Sequence, residues 1–149
     1  MPTIAQVKSN IDALDLAKVG METVVAMKDE MVQLNREQLM EGRVKDGGKF
    51  QERYKSPSYA DWKHRRNPIP GRFVPDLYDT GAFQEAMKLR VIDKQNFEIY
   101  STDSKAKMLM SRFAGVVPFF GLNADSRTEL IAKGFEDELM SKVRAVTKL

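Results

Sequence analysis

Few residues in this chain have the chemistry to make or break bonds, and this limits the functions it can have. The 149 residues include one histidine and no cysteine, which excludes thiolate nucleophiles, disulfides and cysteine-ligated metals. The histidine, His64, lies in the run Lys63-His64-Arg65-Arg66, and the nearest acid along the chain is Asp61. General-base or nucleophilic chemistry needs a partner that orients the reacting side chain, and the sequence offers no such set. We therefore predict no catalytic residue and no enzyme activity, and a hydrolase is disfavoured for the same reason.

The remaining chemical candidates are carboxylates and glycines. The acidic runs Asp29-Glu30 and Glu136-Asp137-Glu138 fall on predicted helices, where charge runs are typical of solvated faces. No calcium-loop pattern is present, so an oxygen-ligand metal site has no support either. Gly47-Gly48 is not followed by the Gly-Lys-Ser/Thr of a phosphate loop. We predict no metal, no cofactor and no small-molecule substrate.

The clearest local signal is a basic segment rich in proline and aromatic residues. Between positions 43 and 72, nine Lys and Arg stand against three acids, which gives +6 there and −3 in the rest of a chain whose net charge is +3. Such a segment favours an anionic neighbour, either DNA or an acidic protein surface. The candidate cations are Arg43, Lys45, Lys49, Arg53, Lys55, Lys63, Arg65, Arg66 and Arg72. The candidate interface aromatics, which could instead anchor the segment on its own domain, are Tyr54, Tyr59, Trp62 and Phe73.

Hydrophobic periodicity predicts helices at both ends of a single α+β domain over residues 1–149, with a small antiparallel hairpin between them. Residues 3–41 are predicted to be a long helix with Thr3 as N-cap, a bend near 12–15 and an end at Gly42. Residues 42–75 are expected to form an extended basic loop with one short helical turn, at 58–63, capped by Ser58.

Residues 76–149 are predicted to combine a short helix, a β-hairpin and a C-terminal helix. The first is a helix that carries Ala82, Phe83 and Met87 and is capped by Asp79 or Thr80. Strands over 88–93 and 96–101 follow, and then a short helix over 104–113. An apolar extended stretch over 116–120 leads to a last helix, which is capped by Asn123 or Asp125. The last helix has the apolar stripe Leu130, Ile131, Phe135, Leu139, Val143 and Val146. The sequence shows neither a signal-peptide pattern nor a run of 18 apolar residues, so we expect a protein assembled in a cytoplasm.

Two short motifs resemble one known family. The stretch Leu77-Tyr78-Asp79-Thr80-Gly81-Ala82-Phe83 resembles the Leu-x-x-(Ser/Thr)-Gly-x-(Leu/Phe) signature of tailed-bacteriophage tail-completion and virion-morphogenesis proteins. The stretch Pro118-Phe119-Phe120-Gly121-Leu122-Asn123 resembles the Pro-x-Phe-x-Gly-Leu element that enters the last helix of that family. The matching positions are Leu77, Thr80, Gly81, Phe83, Pro118, Phe120, Gly121 and Leu122. The resemblance covers most of residues 15–147, and the fold it implies is also α+β.

The resemblance implies a structural virion protein of the phage neck. Such a protein forms a homo-oligomeric ring that joins or completes the head-tail connection around the DNA channel, and it is assembled in the cytoplasm of the bacterial host. The implied partners are further copies of the chain and the portal or adaptor and tail-tube proteins, with non-specific contact to packaged DNA and none to a membrane. The alternative is a small soluble nucleic-acid-binding protein that uses the basic loop 43–72. A dilute monomer that binds DNA with steep salt dependence would favour the alternative.

Overall fold

The computed structural model describes residues 1–48, 56–66, 80–113 and 119–149. Within these ranges it contains eight helices and one antiparallel pair of strands, which confirms the α+β class. In chain order the elements are α1 (Ile4–Asp12), α2 (Leu16–Ala26), α3 (Lys28–Met40), α4 (Pro57–Arg66), α5 (Ala82–Glu85), β1 (Met87–Val91), β2 (Phe97–Ser101), α6 (Ala106–Phe113), α7 (Ala124–Ala132) and α8 (Phe135–Thr147). None of the helices in the described ranges is long and apolar enough to cross a membrane.

The N-terminal region is helical as predicted, but it is divided twice. Thr3 begins α1 with a capping box, in which its Oγ1 accepts from the Gln6 N–H and Gln6 Oε1 accepts from the Thr3 N–H at 2.8 Å. The predicted bend separates α1 from α2, and Asp15 caps α2 by accepting from the Lys18 N–H. A second break, at Met27, separates α2 from α3 and was not predicted.

Helix α3 is central because it is buried against two apolar clusters. Val32 and Leu39 belong to the first cluster, whereas Met31 and Leu34 belong to the second. The first cluster consists of Val32, Leu39, Val44, Phe83, Met87, Ile99, Ala106 and Phe119. The second consists of Val24, Met31, Leu34, Leu122 and Leu130. The helix therefore joins the hairpin on one side to the C-terminal helices on the other, and the chain turns away after it at Gly42, as predicted, with a φ of 70°.

The hairpin is buried at its base and exposed at its tip. Leu89 pairs with Ile99 near the base, and Val91 pairs with Phe97 near the tip. Ile99 lies in the first cluster, while Val91 and Phe97 are 42% and 38% exposed. The predicted strands are confirmed, with the correction that Met87 begins β1 instead of belonging to the short helix before it.

The C-terminal region forms two helices where the sequence predicted one. Asn123 caps α7 as predicted, since its Oδ1 accepts from the Ser126 N–H at 2.9 Å. Gly134, with a φ of 105°, then separates α7 from α8. Helix α8 packs against α2 and α1. Two members of the predicted apolar stripe, Ile131 and Val146, are exposed, so the stripe is only partly a core face.

Within the predicted loop 42–75, ten residues form helix α4. It is longer than the predicted turn, and its cap is Ser56 rather than Ser58, because the Ser56 Oγ accepts from the Tyr59 N–H at 3.3 Å. Pro57 occupies the first helical position, where its missing N–H has no cost. The predictions for 49–55, for 67–79 and for 114–118 lie outside the described residues.

Candidate protein interaction surface

The second motif is held by a buried amide of α3. Asn35 is fully buried; its Nδ2 donates to the Phe119 carbonyl at 3.0 Å and its Oδ1 accepts from the Gly121 N–H at 2.9 Å. The amide thus both donates to and accepts from the backbone, as a neighbouring β-strand would. It supplies a hydrogen-bond partner to the Phe119 carbonyl and the Gly121 N–H, which would be costly to bury unpaired.

A second amide extends this attachment by one helical turn. Gln38 Nε2 donates to the Gly121 carbonyl at 2.9 Å, and its Oε1 accepts from the Asn123 N–H at 2.8 Å and from the Ser126 hydroxyl at 3.1 Å. Hydrophobic periodicity does not indicate Asn35 or Gln38, because it assigns polar residues to the solvent side. The one available signal was their spacing of three along α3, which places them on the same side of the helix.

The residues that directly follow the first motif are attached to α3 through Arg36. Its Nε donates to the Gln84 carbonyl at 2.6 Å, and its Nη2 donates to the carbonyls of Glu85 and Met87 at 3.2 and 3.1 Å. The carbonyls of Gln84 and Glu85 lie at the end of α5, where helices leave acceptors without a partner inside the helix, and that of Met87 lies at the start of β1. One guanidinium therefore fixes the turn between α5 and β1.

The described motif positions meet around two phenylalanines. The rings of Phe83 and Phe120 are stacked with their centroids 5.8 Å apart. Gly81 and Gly121 have φ angles of 90° and 120°, which L side chains rarely adopt, and Leu122 is buried in the second cluster. These positions shape the fold, whereas Leu77 and Pro118 lie outside the described residues.

Among the described candidate residues, Tyr59, Trp62, Arg65 and Arg66 share one exposed side of α4, called here the α4 face. Tyr59 is 47% exposed and Trp62 is 42% exposed. Their ring centroids are 5.5 Å apart, and the Arg66 guanidinium carbon lies 5.2 Å from the centre of the Trp62 ring. Trp62 is therefore contacted by Tyr59 from the preceding turn and by Arg66 from the following turn.

The opposite side of α4 is buried and corrects one prediction. Ala60 is fully buried and Lys63 is only 7% exposed, so Lys63 is not a cation that faces solvent. His64 is half-buried, and its Nδ1 makes no hydrogen bond to a described residue. Helix α4 is therefore amphipathic, with its cations of interest, Arg65 and Arg66, on the solvent side.

Two further candidate cations, Arg43 and Lys45, lie next to the second motif. Arg43 is half-buried; its Nη1 is 3.2 Å from Asp125 Oδ2 and its Nε is 3.6 Å from Glu41 Oε2. Lys45 is exposed, and its aliphatic chain lies over Gly121, where an added Cβ would come within 2.8 Å of Lys45 Cδ. The remaining candidates lie outside the described residues: Lys49, Arg53, Lys55, Arg72, Tyr54 and Phe73.

A depression between α3 and α7, called here the acidic depression, has the opposite charge to the α4 face. Four carboxylates and one guanidinium line a cavity of about 80 Å³. The carboxylates are those of Glu37, Glu41, Asp125 and Glu129, and the guanidinium is that of Arg43. In the described part of the chain, no group of three or more His, Asp or Glu side chains is arranged to hold a metal ion. The depression is thus a negatively charged surface without the geometry of a metal site.

Large apolar side chains are exposed on both sides of the core. At the N-terminus they include Ile4, which is 90% exposed, and Leu16. At the hairpin tip they include Val91, Ile92 and Phe97. Clustered exposed apolar residues are typical of surfaces that contact other proteins.

No family model matches this chain, and neither a curated protein nor a solved structure does so. The family membership expected from the two motifs therefore stays a prediction.

Proposed function

We propose that this chain is a structural protein of the neck of a tailed bacteriophage, forming a homo-oligomeric ring that joins or completes the head-tail connection around the DNA channel. The observation that carries the proposal is the meeting of the two motifs. Phe83 of the first and Phe120 of the second are stacked. Buried amides of α3 hold the second motif, and Arg36 of α3 holds the residues that directly follow the first. The described parts of two stretches that separately resemble one family are thus in contact.

The surface properties support an assembly role. A subunit of a closed ring needs two different patches, because a heterologous contact joins unlike surfaces and closes by rotation. The described surface offers several that differ in chemistry: apolar residues on α1, an apolar hairpin tip, the α4 face and the acidic depression. In the proposed virion the partners are neighbouring copies and the portal or adaptor and tail-tube proteins, and the chain is assembled in the bacterial cytoplasm.

Self-association of the purified chain tests the proposal. Light scattering over a wide concentration range should show a closed oligomer of one defined mass, either alone or on addition of a phage tail-tube or portal protein. Negative-stain images of the same samples should show rings. A chain that stays monomeric at the highest concentration, and joins neither partner, would overturn the proposal.

One observation favours the second candidate, a nucleic-acid-binding protein. Exposed aromatic rings beside Arg65 and Arg66 are what single-strand binders use for stacking and for phosphate contacts. A fluorescently labelled single strand should then bind the dilute monomer, with an affinity that falls steeply as salt is raised. Affinity that is weak and depends on prior oligomerisation would instead favour the ring.

A further inference from the structure

We propose that the α4 face docks into the acidic depression of a second copy of this chain. The inference deepens the proposed function and rests on it in one respect, namely that copies associate. It assigns the contact between neighbouring copies to Arg65 on one side and to the carboxylates between α3 and α7 on the other.

The α4 face has the composition and order of a protein contact. Tryptophan, tyrosine and arginine are the residues that contribute most often to binding energy at protein interfaces. Here Trp62 is already packed between Tyr59 and Arg66. Ordering these side chains on binding therefore costs less conformational entropy. Arg65 is exposed on the same side and makes no ion pair with any described residue. The face therefore combines an ordered aromatic centre with a cation available to a partner.

The same geometry is less suited to a nucleobase. A base stacks on an open aromatic face, but the Arg66 guanidinium already lies over the Trp62 ring at 5.2 Å. A stacking base would have to displace Arg66 or use Tyr59 alone. An acidic protein surface needs no such rearrangement, since it can reach Arg65 directly.

The acidic depression has the charge and the size to take a guanidinium. Its four carboxylates against one guanidinium leave a net charge of −3. Its volume of about 80 Å³ is roughly half of the 150 Å³ cavity that accommodates benzene, so an arginine head fits better than an aromatic ring. Arg43 already makes a guanidinium–carboxylate ion pair there, since its Nη1 lies 3.2 Å from the Asp125 carboxylate. No residue of α4 is among the described residues that line the depression in the same copy.

The contact would be heterologous, because a basic helix face meets an acidic surface elsewhere on the next copy. Such contacts are head-to-tail and repeat until the ring closes. The symmetric pairing of one α4 face with another is disfavoured, because it would bring cations of two copies together.

The experiment compares single charge reversals with a charge swap, using the full-length chain. Arg65→Glu and Glu37→Arg should each raise the apparent Kd for self-association by about tenfold or more, because each places like charges across the contact. The matched control is Lys107→Glu, an exposed cation of α6, which should change the Kd less than about threefold. The double variant Arg65→Glu/Glu37→Arg restores opposite charges and should return the Kd to near the wild-type value. Circular dichroism and thermal unfolding of each variant establish that the fold is intact.

The possible results separate the two proposals. If the wild-type chain forms a ring and Arg65→Glu forms it equally well, the docking inference is overturned and the ring proposal stands. If Arg65→Glu leaves self-association unchanged but weakens binding to a labelled DNA strand, the partner is nucleic acid and the inference is again overturned. If the double variant is as weak as the single variants, the carboxylates of the depression are not the partner. A wild-type chain that never self-associates overturns the proposed function itself.

Discussion

Buried polar side chains of α3 determine how the second motif is positioned, and Asn35 is the clearest case. The change Asn35→Ala would remove its hydrogen bonds to the buried Phe119 carbonyl and to the part-buried Gly121 N–H. We expect a loss of about 2–4 kcal/mol in the free energy of unfolding, from the desolvation cost of the two groups, measured by urea denaturation. Gln33→Ala is the matched control, because Gln33 lies on the same helix but is exposed, and its effect should stay within about 0.5 kcal/mol. Equal effects of the two changes would contradict this role for Asn35.

Two glycines should respond in opposite directions to replacement by alanine. Gly121 has a φ of 120°, and an added Cβ would lie 2.8 Å from Lys45 Cδ, so Gly121→Ala should destabilise the fold by about 1 kcal/mol or more. Gly20 lies within α2, and an added Cβ there meets nothing within 4 Å. Gly20→Ala should therefore stabilise the protein by roughly 0.5–1 kcal/mol. Thermal unfolding of both variants measures the signs, and a stabilising Gly121→Ala would show that the second motif does not require glycine.

At the residue scale, charge and aromatic content predicted the α4 face only in part. Tyr59, Trp62, Arg65 and Arg66 are exposed as a candidate surface requires. Lys63 is not, because the helical period turns it to the buried side. The helical turn expected over 58–63 includes Lys63, but charge and aromatic content alone do not indicate which side of a helix is buried.

At the element scale, the turn of the hairpin contains a carboxylate whose pKa is lowered. The Asn96 side chain and the backbone N–H groups of Gln95 and Asn96 donate to Asp93, and these hydrogen bonds hold the pKa of its carboxyl below the usual range. The carboxylate therefore stabilises the hairpin at pH values above roughly 3.9, the ordinary aspartate pKa. This stabilisation is lost as the pH falls through the lower pKa of the folded state.

The variant Asp93→Asn tests the pH dependence of the turn. Because an amide does not titrate, the difference in thermal stability between wild type and Asp93→Asn should be constant above about pH 5 and should shrink as the pH falls below about 4. An NMR titration of the Asp93 carboxyl in the folded protein gives its pKa directly. A measured value at or above that of an unfolded aspartate would contradict the assignment.

Helix boundaries were predictable where a polar side chain caps the first turn. Thr3 and Asn123 are helix caps, as their types and positions indicated. Gly134 follows α7 in the left-handed conformation that commonly ends helices. It was missed because the apolar stripe continues across it, so periodicity alone does not indicate a break there. The break at Met27 involves neither a glycine nor a proline, and we have no physical account of it.

At the scale of the whole molecule, charge separation predicts that assembly depends on salt. The α4 face is cationic and the acidic depression carries four carboxylates, so their attraction is screened as ionic strength rises. The apolar exposed surfaces on α1 and on the hairpin tip would be affected little by salt. We therefore expect self-association to weaken with sodium chloride without being abolished, which light scattering at two salt concentrations measures. An oligomer whose mass is the same from low to high salt would indicate that apolar contacts dominate.

Trp62 is the only tryptophan in the chain, and it therefore reports on the α4 face without labelling. In the free chain it is 42% exposed. If α4 docks on a neighbouring copy, the indole side chain becomes less exposed to water on association. Its emission should then shift to shorter wavelength and its acrylamide quenching should decrease as the protein concentration is raised, with both changes reversed by salt. The variant Glu37→Arg is the control, because it keeps Trp62 but repels Arg65 of the neighbour, so its emission should remain that of the dilute wild type. If emission stays constant while light scattering reports a growing oligomer, then α4 faces away from the subunit contact and the ring is held by other surfaces.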